Sequence, residues 1–243
     1  MIEMKDVSVI YDKSIVALDH IDLTIDKGCY VVVGQNGSGK STLLQTLVSI
    51  VDFQGEIKID GILLDKQHLK EIRKKVGLIF QNPDHQLFMS RIYDDIAFGL
   101  INQKYDKDII EQKIQDIAKL LNIQDILIRS SHQLSGGQKR MAAIATVLVM
   151  DPDIILMDEP TSFLDPKSRR KIIKFIQSCQ KTMIIVTHDL DMALEIGDEV
   201  ILIDQGKIIK QDKAHSLLTN KDLLEQHGLE LPFCMQRGDI VWK

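Results

Sequence analysis

Gly34-Gln35-Asn36-Gly37-Ser38-Gly39-Lys40-Ser41-Thr42 is the stretch on which the fold of this chain turns. Its Gly-x4-Gly-Lys-Ser spacing is that of a phosphate-binding loop, a pattern that carries meaning between a strand and a helix. Both neighbours are present. Residues 29–33, Cys-Tyr-Val-Val-Val, form a compact β-prone run of the kind expected in a buried strand. Residues 41–50 place Leu43, Leu44, Leu47 and Val48 on one helical face. Glycines let backbone N–H groups converge on a phosphate without Cβ clashes, and the helix start turns its positive end towards the anion. Lys40 then brings a charge to the β- and γ-phosphates, and the Ser41 hydroxyl can ligate Mg²⁺. Gly34, Asn36, Gly37, Ser38, Gly39, Lys40, Ser41 and Thr42 are therefore the expected nucleotide-binding residues.

Outward from the loop the chain alternates between strand and helix patterns. Residues 2–10 and 20–25 read as strands with a turn near Asp12-Lys13, and Ile21, Leu23 and Ile25 alternate as in a half-buried strand. Residues 55–64 alternate again, which predicts antiparallel strands, and residues 76–80 form another strand. Between Asn82 and Met150 the pattern is helical, with Ile110, Ile114, Ile117 and Leu121 along one face. Strand patterns return at 154–157, 183–186 and 200–203. A helical segment inserted into an α/β core is the natural parse. Leucines at 217, 218, 223, 224 and 229 predict a small helical appendage over residues 216–243, after a main domain of 1–215.

Several polar groups stand where these strands and helices end. Leu134-Ser135-Gly136-Gly137-Gln138 is a second glycine element, a hundred residues from the first. Ser135 can cap a helix there, leaving the Gly136 and Gly137 amides open to a phosphate. Asp158 closes an apolar strand, the usual place for a carboxylate near a metal, and Glu159 follows as the candidate to orient or deprotonate water. Asp-Glu-Pro-Thr also starts helices well, so a capping cluster is the competing reading. His188 follows residues 183–186 and Gln81 follows residues 76–80; strand ends at one sheet edge gather at the ligand crevice.

Composition narrows the partners. Apolar residues make up 44%, enough for a packed core at 243 residues, while a net charge of −5 with mixed signs gives no bulk basic surface for nucleic acid. Cys29, Cys179 and Cys234 lack metal-binding spacing and read as free thiols. The N-terminus is charged from its third residue and does not read as a signal peptide. The longest apolar run, residues 141–150, is half of the roughly 20 residues a membrane crossing needs.

In order along the chain, GQNGSGKST at 34–42, Gln81, LSGGQ at 134–138, ILMDEP at 155–160, Asp165 and His188 resemble the ATP-binding cassette (ABC) ATPases over residues 2–210. The resemblance implies an α/β fold: a P-loop NTPase (RecA-like) core with an antiparallel β subdomain and an inserted α-helical subdomain, about residues 82–150. It implies ATP and Mg²⁺ as cofactors, and two ATPs sandwiched in a head-to-tail pair with a second ABC ATPase subunit, identical or different. Lys40, Gln81, Glu159 and His188 would be catalytic. Ser41, Gln81 and, through water, Asp158 would hold the metal. Ser135, Gly136, Gly137 and Gln138 would contact the ATP held by the opposite subunit, and Asp165 would communicate across the pair. Tyr11 fits the aromatic that stacks on adenine in that family; it also fits a residue packed in a turn.

A finer resemblance follows Gln81. Phe80-Gln81-Asn82-Pro83-Asp84-His85-Gln86-Leu87-Phe88 and Asp94-Asp95-Ile96-Ala97-Phe98-Gly99 are similar to the energy-coupling factor importer ATPases, including cobalt and nickel uptake types. Gly228-Leu229-Glu230-Leu231-Pro232-Phe233 is similar to their C-terminal region, whereas Leu100, where that group has proline, and the short tail depart from it. This implies an ATPase that energises import of vitamins or transition-metal ions. It would be peripheral on the cytoplasmic face of the cell membrane and bound to integral membrane subunits through Gln81 to Phe88, with no nucleic acid. A cytosolic ABC ATPase acting on nucleic acid or the ribosome, or a subunit of another transporter class, is the alternative. The single cassette and the lack of a sustained heptad run weigh against the ribosome and nucleic-acid readings. A binding module without hydrolysis is a third class, opposed by Glu159 and His188.

Overall fold

The computed structural model describes residues 1–12 and 14–236. Asp12 begins the expected turn, while Lys13 and residues 237–243 of the predicted appendage lie outside the described residues. In chain order the elements are β1 (Ile2–Tyr11), β2 (Ile15–Ile25), β3 (Cys29–Val33), α1 (Lys40–Leu47), β4 (Gln54–Ile59), β5 (Ile62–Leu63), α2 (Leu69–Lys75) and β6 (Val76–Ile79). Then come α3 (Ile92–Asn102), α4 (Lys107–Leu121), α5 (Gly136–Leu148), β7 (Ile154–Asp158), α6 (Pro166–Ser178), β8 (Thr182–Val186) and α7 (Leu190–Ile196). The chain closes with β9 (Glu199–Asp204), β10 (Lys207–Lys213), α8 (Ala214–Leu218) and α9 (Lys221–Gln226).

These elements divide into two compact units, a discontinuous one of residues 1–73 with 179–243 and a continuous one of residues 74–178. In the discontinuous unit β2, β1, β4 and β5 form an antiparallel sheet in that order. Its alternation is visible in β1, where Ile2, Met4, Val7 and Val9 are buried and Ile2 pairs with Ile25 and Ile59. A second sheet begins with β3, which pairs in parallel with β8 (Val32 with Val186) and β9 (Val32 with Ile201). Every residue of β3 is buried, as both-faced burial demands of a parallel strand. β10 returns antiparallel to β9 through Gln205 (φ 47°) and Gly206 (φ 77°), the positive-φ pair that closes a two-residue hairpin.

In the continuous unit β6 and β7 are parallel neighbours, Ile79 opposite Met157. α3, α4, α5 and α6 pack around one another in this unit. Ile110, Ile114, Ile117 and Leu121 of α4 are all buried, as their spacing predicts. Some boundaries differ from the sequence reading. The helix expected to reach Ile50 stops at Leu47, because Ser49 takes φ 50° and turns the chain; the strand expected to reach Phe80 stops at Ile79. The predicted appendage begins with α8 and α9, whose Leu217, Leu218 and Leu224 are buried.

Candidate functional site

In the discontinuous unit, residues 34–39 leave the buried strand β3 and enter α1. A Cβ on Gly34 would lie 2.1 Å from the Ile203 carbonyl oxygen, so only glycine lets the loop pass β9 at this distance. The Gly206 N–H donates to the Ser38 carbonyl (3.0 Å) and the Ser38 N–H to the Gln35 carbonyl (3.2 Å), folding the loop into a concave turn. Lys40 is 7% exposed, and its Nζ donates to the Gly34 and Gln35 carbonyls at 2.9 and 2.8 Å. The ammonium therefore lies in the mouth of the loop. Ser38 Oγ is buried there without a hydrogen-bond partner among the described residues. A concavity with an ammonium and an unengaged hydroxyl suits a phosphate group. Ser41 follows Lys40 in the first turn of α1. Tyr11, at the end of β1, brings its hydroxyl within 3.4 Å of Thr42 Oγ1, so its ring stands at the first turn of α1.

His188 belongs to the same unit. The Thr187 N–H donates to Val32 of β3 (3.2 Å), and Thr187 Oγ1 accepts from the Asp189 N–H (3.0 Å). Asp189 Oδ1 then caps α7 by accepting from Met192 N–H (2.9 Å). His188 is held exposed between these anchors, past the end of the strand beside β3.

The continuous unit gathers the remaining predicted residues. Asp158 ends β7 and Glu159 follows; both are under 10% exposed. Because Ile79 faces Met157 in parallel register, Gln81 and Glu159 each stand two residues beyond a paired position. Glu159 holds φ 47°, an uncommon conformation for a residue with a Cβ, and Ser162 Oγ donates to its Oε2 at 3.1 Å.

Ser135 is the N-cap of α5, as its place before two glycines predicts. Its Oγ accepts from the Gln138 N–H (3.3 Å), and Gln138 Oε1 accepts from the Ser135 N–H (3.1 Å), a reciprocal capping box. The cap uses the oxygen of Ser135 as acceptor and leaves its O–H proton to donate. Ser135→Ala should lower the stability of the chain by about 1 kcal/mol, read from urea denaturation. Asp165 accepts from the Lys167 and Ser168 N–H groups (3.0 Å each) and from Ser168 Oγ (2.6 Å) at the start of α6. The Ser168 hydroxyl, with these amides, holds the Asp165 carboxyl below the usual range.

Arg140 was absent from the residues expected by motif, yet it joins three of them. It lies on α5 and is 2% exposed. Its Nη1 donates to the Phe80 carbonyl (2.7 Å), and its Nη2 to the carbonyls of Gln81 (2.5 Å) and Glu159 (3.4 Å). Burial lowers its pKa to about 10 against the pull of Asp158 and Glu159, so it stays charged at neutral pH. The sequence did carry a signal. Arg140 sits in a stripe with Ala143, Ile144 and Val147, and a charge on the buried face of a helix needs partners.

The same helix holds residues 80–88. Lys139 pairs with Asp84 (2.7 Å), and Gln86 Nε2 donates to the Ala143 carbonyl (2.8 Å) and Thr146 Oγ1 (2.7 Å). Gln86 Oε1 accepts from the Phe80 N–H (3.3 Å), and Asn82 Oδ1 from the Asp84 N–H (3.0 Å). Asp95 Oδ1 receives the N–H groups of Phe88 (2.9 Å) and Met89 (3.0 Å). Phe88 is thereby held 62% exposed, edge-on to the ring of Phe98 at 5.1 Å.

Comparison with known proteins identifies the family. The family model described as "ABC transporter" matches residues 18–162. The energy-coupling factor transporter ATP-binding protein EcfA of Carboxydothermus hydrogenoformans is 42% identical over 241 residues, covering 97% of this chain and 88% of the relative. The structure of cbiO1 from Clostridium perfringens, described as part of the ABC transporter complex cbiONQ, has a TM-score of 0.83 at 32% identity and 98% coverage of both chains. The ATP-binding cassette MJ0796, a dimer in a post-hydrolysis state bound to ADP and Pi, has a TM-score of 0.79 at 30% identity, covering 88% of this chain and 99% of that one.

Proposed function

Because the chain belongs to the ABC transporter family, as an ATP-binding and hydrolysing subunit of the energy-coupling factor type, we propose that it drives membrane import of a vitamin or transition-metal ion by pairing with a second ATPase subunit around ATP. Lys40 exchanges its two carbonyl bonds for β- and γ-phosphate oxygens, while the loop amides bind the remaining phosphate charge. Tyr11 stacks on the adenine. Ser41, Gln81 and, through water, Asp158 are the residues that would hold Mg²⁺, which would draw negative charge off the phosphate oxygens. Ser135 donates its O–H proton, and Gly136 and Gly137 their N–H groups, to the γ-phosphate of ATP on the partner, with Gln138 shaping the turn that presents them. Glu159 orients and deprotonates the attacking water, and His188 reads the γ-phosphate.

The observation that carries the coupling reading is the attachment of residues 80–88 to α5. Lys139, Arg140, Ala143 and Thr146 of one helix hold that segment, and Ser135 caps the same helix. A membrane subunit pressing on the exposed Phe88 side therefore shifts the phosphate-reading turn with it. Among the described residues no helix is long and apolar enough to cross a membrane, and we place the chain as a peripheral subunit on the cytoplasmic face.

Affinity purification from native membranes tests this reading. The chain is expected to bring down an integral membrane protein and to hydrolyse ATP slowly on its own and faster in that complex. Turnover stimulated by nucleic acid, with no membrane partner recovered, would overturn it.

A further inference from the structure

We infer that the turn following α9 is a clamp on the phosphate loop, with Gln35 and Gly228 as positioning residues for nucleotide binding; the inference rests on the loop being the nucleotide site. Gln35 is exposed, and its side chain reaches away from the loop to donate from Nε2 to the His227 carbonyl at 3.1 Å, across 192 positions of sequence. The next residue has to be glycine for that reach. Gly228 takes φ 65°, and a Cβ on it would lie 1.7 Å from Gln35 Nε2 and 2.7 Å from Gln35 Cδ. An alanine at 228 and the observed Gln35 rotamer are therefore mutually exclusive.

The turn is itself anchored. The Gly228 N–H donates to the Glu225 carbonyl (3.1 Å) and the Leu229 N–H to Leu224 (2.8 Å), whose side chain is fully buried. His227 Nδ1 lies 2.9 Å from Asp204 Oδ2 at the end of β9. Two residues further, Gly206 of the β9–β10 hairpin bonds the Ser38 carbonyl, so that hairpin and the C-terminal turn grip the loop at two points. Beyond the turn, the N–H groups of Phe233 and Cys234 both donate to the Asp191 carboxylate (3.0 and 2.9 Å), three residues after His188. The C-terminal segment thus spans from the phosphate loop to the helix that follows His188.

The link from clamp to chemistry is short. The Gln35 carbonyl accepts from both Lys40 Nζ and the Ser38 N–H, so the residue that the clamp holds by its side chain also sets the ammonium and one edge of the concavity through its backbone. A loop fixed before binding loses less conformational freedom when the nucleotide arrives. Releasing it weakens affinity by an amount typical of ordering one side chain, about 3- to 10-fold.

The test is titration of the full chain with Mg·ATP in four forms: the natural protein, Gln35→Met, Gly228→Ala and the double variant. Methionine keeps the length of glutamine and removes its donor. Each single variant is expected to raise Kd about 3- to 10-fold, and the double variant to add nothing further, because both break one contact. In the assembled complex KM rises by the same factor and kcat changes by less than KM. Gln35→Met at an exposed position carries the test if Gly228→Ala does not fold, with thermal melting as the check. Unchanged Kd in the folded variants, or fully additive losses, would overturn the clamp while leaving the nucleotide site standing. Absence of Mg·ATP binding by the natural protein would remove the site and the clamp together.

Discussion

Glu159→Gln is expected to lower ATP turnover of the assembled transporter ATPase by about 10²–10⁴-fold, the range lost with a general base, while ATP still binds. Glutamine keeps the shape of the side chain and an oxygen able to accept from Ser162 Oγ, so the turn after β7 is preserved. What disappears is the carboxylate. Its place follows from the backbone: β7 delivers Asp158 and Glu159 buried, and a φ of 47° at Glu159 turns the chain sharply as the strand ends. A left-handed conformation at a glutamate is strained, and strain of this kind collects where a side chain has to be aimed. Turnover is read as phosphate release, and ATP retention as nucleotide that stays with the complex after rapid desalting. Slow release with ATP retained is the expected pair of results. Turnover at the natural rate would remove Glu159 from the role of base.

The phosphate loop was legible because its requirements are local. Strand, glycine turn, lysine and helix follow one another within twenty residues, and each is imposed by its neighbours. The buried face of α4 was legible for the same reason, since four aliphatic residues at helical spacing need no distant partner to declare a face. α6 gave a weaker signal. Only Ile172, Ile173 and Ile176 are buried in a helix dense with lysine and arginine. β10 was also faint, because none of its residues is fully buried and its hairpin turn, Gln205-Gly206, lacks the usual asparagine or aspartate. The contact of Gln35 with His227 was out of reach altogether: neither residue is unusual in its own surroundings, and only the folded chain brings them together. Arg140 lies between these cases. Its presence on a buried helical face was readable, but its acceptors are backbone carbonyls at 80, 81 and 159, which no side-chain pattern can name.

Those carbonyls make Arg140→Met the second large expected effect. Methionine fills most of the same apolar path along α5 and removes every donor. The carbonyls of Phe80 and Gln81 then lose charge-assisted bonds in a partly buried setting, and the expected loss of stability is about 2–4 kcal/mol. Turnover is expected to fall further than this loss explains, by roughly 100-fold in protein that is still folded, because a displacement of about 1 Å between catalytic groups has that cost. Gln81 and Glu159 are held to one guanidinium, and without it each follows its own turn. Arg140→Lys separates the two effects. One ammonium can satisfy a single carbonyl well but lacks the planar fork that spans three, so it should recover much of the stability and little of the turnover. Denaturant titration and phosphate release on the same preparations make the comparison. Recovery of both in equal measure would reduce Arg140 to a packing residue. Recovery of stability alone would establish that the helix capped by Ser135 sets the distance between Gln81 and Glu159 through this side chain.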